Sequence, residues 1–294
     1  MKKKLFSILA LLLVIVTGAM AQTTYPVTVK SGTEDAEKWT ATPNPAAAGQ
    51  TVTVTYTGSK KVKSVKAKPN VNYVDLSTLT GNYIAQNGDV LMGTLSGDKQ
   101  PYKISIAAGA TVTLANASIN GIDDGSESSA LSSVAWAGLT CLGNATIILK
   151  DGTTNTVKGF RNTYPGIQVA KNNTGEGGEY TLTIQGTGSL NASSNGKAAG
   201  VGAGFQVYCG NIDIQGGVIT ATGGESAAGI GGGQYGNCGN ITITDGVTRV
   251  EATKGTDAYY SIGGASYDVT CTVTIGGTVS NGTTEDTYIY EPSH

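Results

Sequence analysis

The sequence is poor in the residues from which most catalytic and metal sites are made. Histidine occurs once, as His294, and the four cysteines form no CxxC pair, which removes the usual ligand set for zinc. With one histidine in the chain, at position 294, nucleophilic catalysis by Ser, Thr or Cys with a histidine base is disfavoured. Arginine stands only at Arg161 and Arg249. With the net negative charge, that shortage argues against nucleic acid, whose phosphates demand dense Lys and Arg. Aromatic residues make up 6% of the chain and proline only seven positions. Helical periodicity is almost absent beyond the N-terminus. Glycine is what abounds. Its 43 residues follow no collagen period and, with regular apolar punctuation, point to tight turns between short strands. The chain reads as all-β.

Long apolar runs are equally scarce. Residues 5–16 form one, preceded by Lys2, Lys3 and Lys4 and followed by Ala19-Met20-Ala21. This pattern makes residues 1–21 a signal peptide, with the mature chain expected to begin near Gln22. The run is short for a bilayer, and no later one is long enough for a membrane span. No cysteine follows the cleavage point, so a lipid anchor there is not expected. The expected destination is the periplasm, the cell surface or the medium. Without those lysines the remainder is more acidic than the formal net charge of −2. Lys60, Lys61, Lys63, Lys66 and Lys68 crowd one stretch, alternating with Val62 and Val65 like the solvated face of a strand.

Internal repetition organises the rest. An I-x-I element recurs as Leu182-x-Ile184, Ile212-x-Ile214, Ile241-x-Ile243 and Val273-x-Ile275, at spacings of 30, 29 and 32 residues. Each is followed by glycine: Gly186, Gly216, Gly246 and Gly276. A second short strand carries Leu190 and Ala192, Ile219 and Ala221, or Val250 and Ala252. A third element ends in Val201, Ile230 and Ile262, and earlier in Leu139 and Ile167. Side chains two apart share a face. Strands this short bury that face only by stacking on their equivalents at roughly 4.8 Å. A leucine-rich repeat would show an L-x-x-L-x-L frame, and a propeller blade would be longer and richer in aromatics.

The expected fold is therefore a right-handed parallel β-helix, a solenoid of about five three-strand coils over residues 99–294. Its handedness follows the crossover preference. Residues 70–98 are expected to cap its N-terminal end. Residues 22–69, with strands near 27–29, 51–56 and 62–65, read as a small Ig-like β unit. Cys209, Cys238 and Cys271 each precede an I-x-I strand, and Cys141 precedes Ile147 and Leu149. Stacking would align Cys209, Cys238 and Cys271 in a column at a spacing compatible with a disulfide. A column of buried thiols is the expected state, and oxidation is the alternative.

The run Thr146-Ile-Ile-Leu-Lys-Asp-Gly-Thr-Thr-Asn-Thr-Val157 resembles the repeat of a bacterial carbohydrate-binding β-helix family, related in fold to pectate lyases. The Cys-Gly-Asn-Ile and Ala-Ala-Gly-Ile-Gly-Gly-Gly repeats are similar to those of secreted proteins from host-associated Gram-negative bacteria. The resemblance covers roughly residues 70–290. It implies binding of acidic or plant-type polysaccharide, with calcium as a candidate cofactor, and transfers no individual ligand residue.

For catalysis or calcium the best acidic pair is Asp123-Asp124, in a Gly/Ser-rich loop whose plainer reading is simple solvation. Asp213, Asp245, Asp257 and Asp268 share no register. No compact acidic cluster surrounds either arginine, so a polysaccharide lyase is the least favoured function. Binding leaves a clearer trace. Tyr208, Tyr235 and Tyr267 fall in loops just before the cysteine positions, with Trp136 and Tyr164 in comparable places earlier. Facing outward, these rings would form a strip suited to the apolar faces of sugars; facing inward, they would be satellite core. The threonine pairs Thr181/Thr183, Thr220/Thr222 and Thr242/Thr244 do not share one face, which argues against ice binding. The expected function is a secreted, non-catalytic polysaccharide-binding protein. The alternative is an adhesin for a host or neighbouring-cell protein.

Overall fold

Apolar residues two apart become buried rows on stacked strands. The computed structural model describes residues 24–25, 39–42, 46–47, 53–58, 71–96, 102–121, 136–169, 180–266 and 271–293. The chain divides into two compact units, Met1–Asn70 and Val71–His294. In the first, Trp39–Thr42 pairs antiparallel with Thr53–Tyr56, and Thr24–Tyr25 with Ala46–Ala47. The signal segment, the lysine-rich stretch and the strands expected near 27–29 and 62–65 lie outside the described residues.

In the second unit, an eight-stranded sheet stacks Tyr83–Ala85, Ile104–Ile106, Leu139–Cys141, Ile167–Gln168, Val201–Gly202, Ile230–Gly231 and Ile262–Gly263 in parallel. A fourteen-stranded sheet has two arms that meet at the long strand Ala110–Asn120. One arm stacks Ala145–Leu149, Thr181–Gly186, Asn211–Ile214, Ile241–Ile243 and Val273–Ile275. The other stacks Thr154–Lys158, Ser189–Ser193, Gly217–Thr222 and Val247–Thr253. Each repeat visits the eight-stranded sheet, one arm and then the other, and returns one rung further on. This all-β, parallel stacking fits a β-helical winding. Among the described residues there is no α-helix; Leu76–Thr78 is a 3-10 turn. No helix there is long and apolar enough to cross a membrane.

Parallel stacking begins before the sequence repeat becomes visible. Asn72–Asp75 and Asp89–Ser96, in the segment expected to cap the stack, pair parallel within the fourteen-stranded sheet. The inward rows are continuous: Leu139, Ile167, Val201, Ile230 and Ile262 on one side, Ile147, Ile184, Ile214 and Ile243 on another, all buried. Each such aliphatic side chain contributes about 1.5–3 kcal/mol by leaving water.

Backbone approach between rungs selects glycine at one column. Gly202, Gly231 and Gly263 have φ of 140°, 127° and 142°. A Cβ on Gly202 would fall 2.1 Å from the Gly231 carbonyl oxygen, and one on Gly231 2.1 Å from that of Gly263. Asparagine amides tie rungs together elsewhere. Asn82 Oδ1 accepts from Lys103 N–H (2.9 Å), Asn87 from Thr111 (3.0 Å), Asn144 from Thr181 (2.8 Å) and Asn211 from Asn240 (2.8 Å).

At the C-terminal end the direction reverses. Thr278–Ser280, Gly282–Thr283 and Thr287–Tyr290 run antiparallel on Val273–Ile275, Ile262–Gly263 and Val247–Thr253. Arg249 holds this strap through Glu291, whose Oε1 accepts from Nε at 2.7 Å, while Glu251 on its own strand steadies the guanidinium. Lys254 Nζ donates to the Thr284 carbonyl at 2.9 Å and faces Asp286 at 3.6 Å. The Tyr290 hydroxyl donates to Asp245.

All four cysteines are buried. Cys209 and Cys238 occupy equivalent turns, with Cys209 N–H donating to the Asn237 carbonyl at 2.9 Å. Cys141, which precedes Ile147 and Leu149, does not share the turn of Cys209 and Cys238. It ends the strand Leu139–Cys141, opposite Ile106, and so belongs to the eight-stranded sheet rather than to a turn.

Candidate functional site

The corner that leads from Val201–Gly202 to Asn211–Ile214 repeats one rung on, between Ile230–Gly231 and Ile241–Ile243. The two loops nest. Gln206 N–H donates to the Gln234 carbonyl at 2.9 Å, and Tyr208 forms a parallel bridge with Asn237. Both Gln206 and Tyr235 adopt left-handed backbone, with φ of 54° and 55°. A bulky side chain in that region is unusual and costs about 1–3 kcal/mol unless its surroundings enforce it.

Tyr235 is 69% exposed and Tyr208 is 40% exposed. The bridge sets Tyr208 opposite Asn237 rather than Tyr235, so the rings belong to adjacent loops in different registers. Tyr235 packs edge-on against Phe205, with centroids 6.0 Å apart. Lys197 Nζ lies 5.2 Å from the Phe205 centroid, a cation–π distance, and the Lys197 carbonyl accepts from Gln234 N–H at 2.9 Å. The corner thus offers exposed phenol rings, a supported aromatic edge and a cation. This combination suits the face of a sugar ring and an acidic substituent.

The other expected ring positions are less open. Trp136 is half-buried, 5.9 Å from the Phe160 ring, with its indole N–H buried and unpartnered. Tyr164 is half-buried, and its carbonyl accepts from Ser194 Oγ at 2.9 Å. Like Trp136 it precedes a strand of the eight-stranded sheet, whereas Tyr208 and Tyr235 follow one, so these two rings do not extend the tyrosine corner. Tyr267, Asp123, Asp124 and Asp268 lie outside the described residues. Sequence reasoning passed over Lys197 and Phe205, whose contact joins separate segments. It also passed over Tyr259, which is exposed and packs against Tyr260 at 4.7 Å.

The outward side of one arm carries a column of threonine hydroxyls interrupted by one carboxylate, Asp213. Thr111, Thr146, Thr183, Asp213, Thr242 and Thr274 align rung by rung, whereas Thr220 and Thr222 lie on the other arm. A small open groove of about 230 Å³ crosses this column beside Asn144, Thr146, Thr181 and Thr183. It is too small to enclose an oligosaccharide, which would lie across the surface instead. Asp213 accepts from Gln215 Nε2 at 2.6 Å, and Asp245 from Tyr290. Among the described residues no three His, Cys, Asp or Glu side chains group as a metal site. Compared with protein-family models, curated proteins and solved structures, the chain matches none, and its function is read from its own residues.

Proposed function

We propose that the chain is exported, that it folds as a right-handed parallel β-helix preceded by an Ig-like unit, and that it binds polysaccharide without cleaving it. The contact surface is the tyrosine corner. One observation carries this reading: Tyr235 is exposed, held in left-handed backbone and braced by Phe205, so its ring is presented to solvent at a conformational cost. Tyr208 adds a second ring on the neighbouring loop. Lys197 favours uronic acid or another acidic sugar. Rigid aromatics lose little entropy on binding, which suits a polymer that lies on a surface.

The test is a glycan array followed by titration with the best hit, with calcium and with chelator. Saturable binding that Tyr235→Ala weakens by about 5–10-fold supports the corner. Loss in chelator would bring in calcium, with Asp123 and Asp124 as its proposed ligands. A folded protein that binds no glycan sinks the reading.

Adhesion to a host or neighbouring-cell protein is the second reading, favoured by the C-terminal strap. Its strands Thr278–Ser280 and Thr287–Tyr290 end the fourteen-stranded sheet and expose Val279 and Ile289. Such an edge is where a partner adds a strand. Binding to a protein ligand that survives Tyr235→Ala and is lost in Ile289→Lys would favour it.

A further inference from the structure

Two buried sulfurs lie in contact where two rungs meet. Ile241–Ile243 and Val273–Ile275 are adjacent parallel strands in register, Ile241 opposite Val273. Cys238 precedes the first of these strands and Cys271 the second. Their Sγ atoms are 3.0 Å apart. Rung spacing lies within the Cα range of a disulfide, and its bond length of about 2.05 Å requires closure of only about 1 Å. Cys209 and Cys141 are also buried, but among the described residues no sulfur–sulfur contact of this kind involves either. The thiols group in no metal site there.

We infer that Cys238 and Cys271 are joined by a disulfide in the exported protein, stapling two successive turns near the C-terminal end of the stack. The inference takes its oxidant from the proposed export and its pairing from the geometry alone. The donor is a disulfide-bearing thiol oxidant. One cysteine thiolate attacks a donor sulfur, forming a mixed disulfide and expelling one donor thiolate. The second cysteine thiolate then attacks the protein-bound sulfur and expels the other. Two protein thiols and one donor disulfide become one protein disulfide and two donor thiols.

The closed fold bears on when this happens. Contact with Cys271, and then burial, holds the Cys238 thiol well above its usual range. Burial pushes Cys141 up to about 12 and raises Cys209, with Cys271 and Cys141 adding to the latter. Buried sulfurs are also out of reach of a soluble oxidant in the closed fold, so the bond forms before the last turns close and is shielded afterwards.

The full chain, expressed with its own leader, is purified from the fraction that holds it. A second sample is folded in glutathione redox buffer. Both are denatured, alkylated without reduction, digested and mapped by mass spectrometry. The expected result is one linked pair of peptides, Cys238 with Cys271, with Cys141 and Cys209 alkylated. Free thiols throughout in both samples, or any other pairing, overturn the inference. A linked pair in the buffer-folded sample alone overturns it for the cell and points to failed export, not failed geometry. Reduction in denaturant followed by refolding under reductant should lower the Tm of the linked protein by about 10 °C and leave the Cys238→Ala/Cys271→Ala variant unmoved. An equal shift in both proteins counts against the staple.

Discussion

Asn155 is fully buried, and its amide serves the backbones of successive passes of the chain. Its Oδ1 accepts from Ala117 N–H at 2.9 Å, and its Nδ2 donates to the Ser189 carbonyl at 3.1 Å. Replacing it by alanine leaves a buried donor and a buried acceptor without partners. Asn155→Ala should therefore cost about 3 kcal/mol, read as a shift in the urea midpoint. Thr154→Ala, on the exposed side of the same strand, should stay within about 0.5 kcal/mol. Tyr83 makes a different residue-scale prediction. Its hydroxyl donates to Asp89 at 2.7 Å. Desolvation first, then the Asp89 hydrogen bond and charge, raise its pKa from 10.0 to about 12. The folded state thus holds this proton more tightly than the unfolded chain. The stabilisation is complete below pH 10 and lost as pH rises towards 12. Alkaline unfolding titrations should show this decline, and Tyr83→Phe should flatten it.

Among the elements, the C-terminal strap is where local and global stability separate. It is held by edge pairing and by the ion pairs of partly exposed Arg249 with Glu291 and Lys254 with Asp286. Exposed pairs contribute only about 0–1 kcal/mol each. Arg249→Ala should hardly move the main unfolding transition, yet it should speed hydrogen exchange in Thr287–Tyr290 several-fold. Equal exchange in the variant and the parent would show that the strand pairing alone holds the strap. The elements also differ in how plainly the sequence announced them. From Leu139 onward, glycine punctuates the I-x-I strands and the period is visible. Ala110–Asn120 has no glycine at its corner; Asn116 takes φ of 58° there instead, so the strand reads as one unbroken run. The reversed strap was hidden for another reason. Alternation along a strand says which side is apolar but not whether its neighbour is parallel.

Over the whole molecule, all-β character and stacked repeats were legible because one packing solution recurs and leaves its period in the chain. The candidate corner was legible in part. Tyr208 and Tyr235 stood out as aromatic residues before cysteine turns. Phe205, Lys197 and the left-handed backbone at Tyr235 did not, because they depend on how successive passes meet. Tyr208 lies opposite Asn237, each one residue before its cysteine, so the spacing itself already set Tyr235 two residues out of register with Tyr208.

The reversed C-terminal strands pair with the last strand of each stack, and the turns carrying Cys209 and Cys238 repeat after 29 residues with the same entry and exit. A tandem copy of such a segment in the gene would add one rung, roughly 4.8 Å of length. Neither end would need to change. Reach is therefore a matter of copy number, open to unequal recombination, while the terminator stays constant.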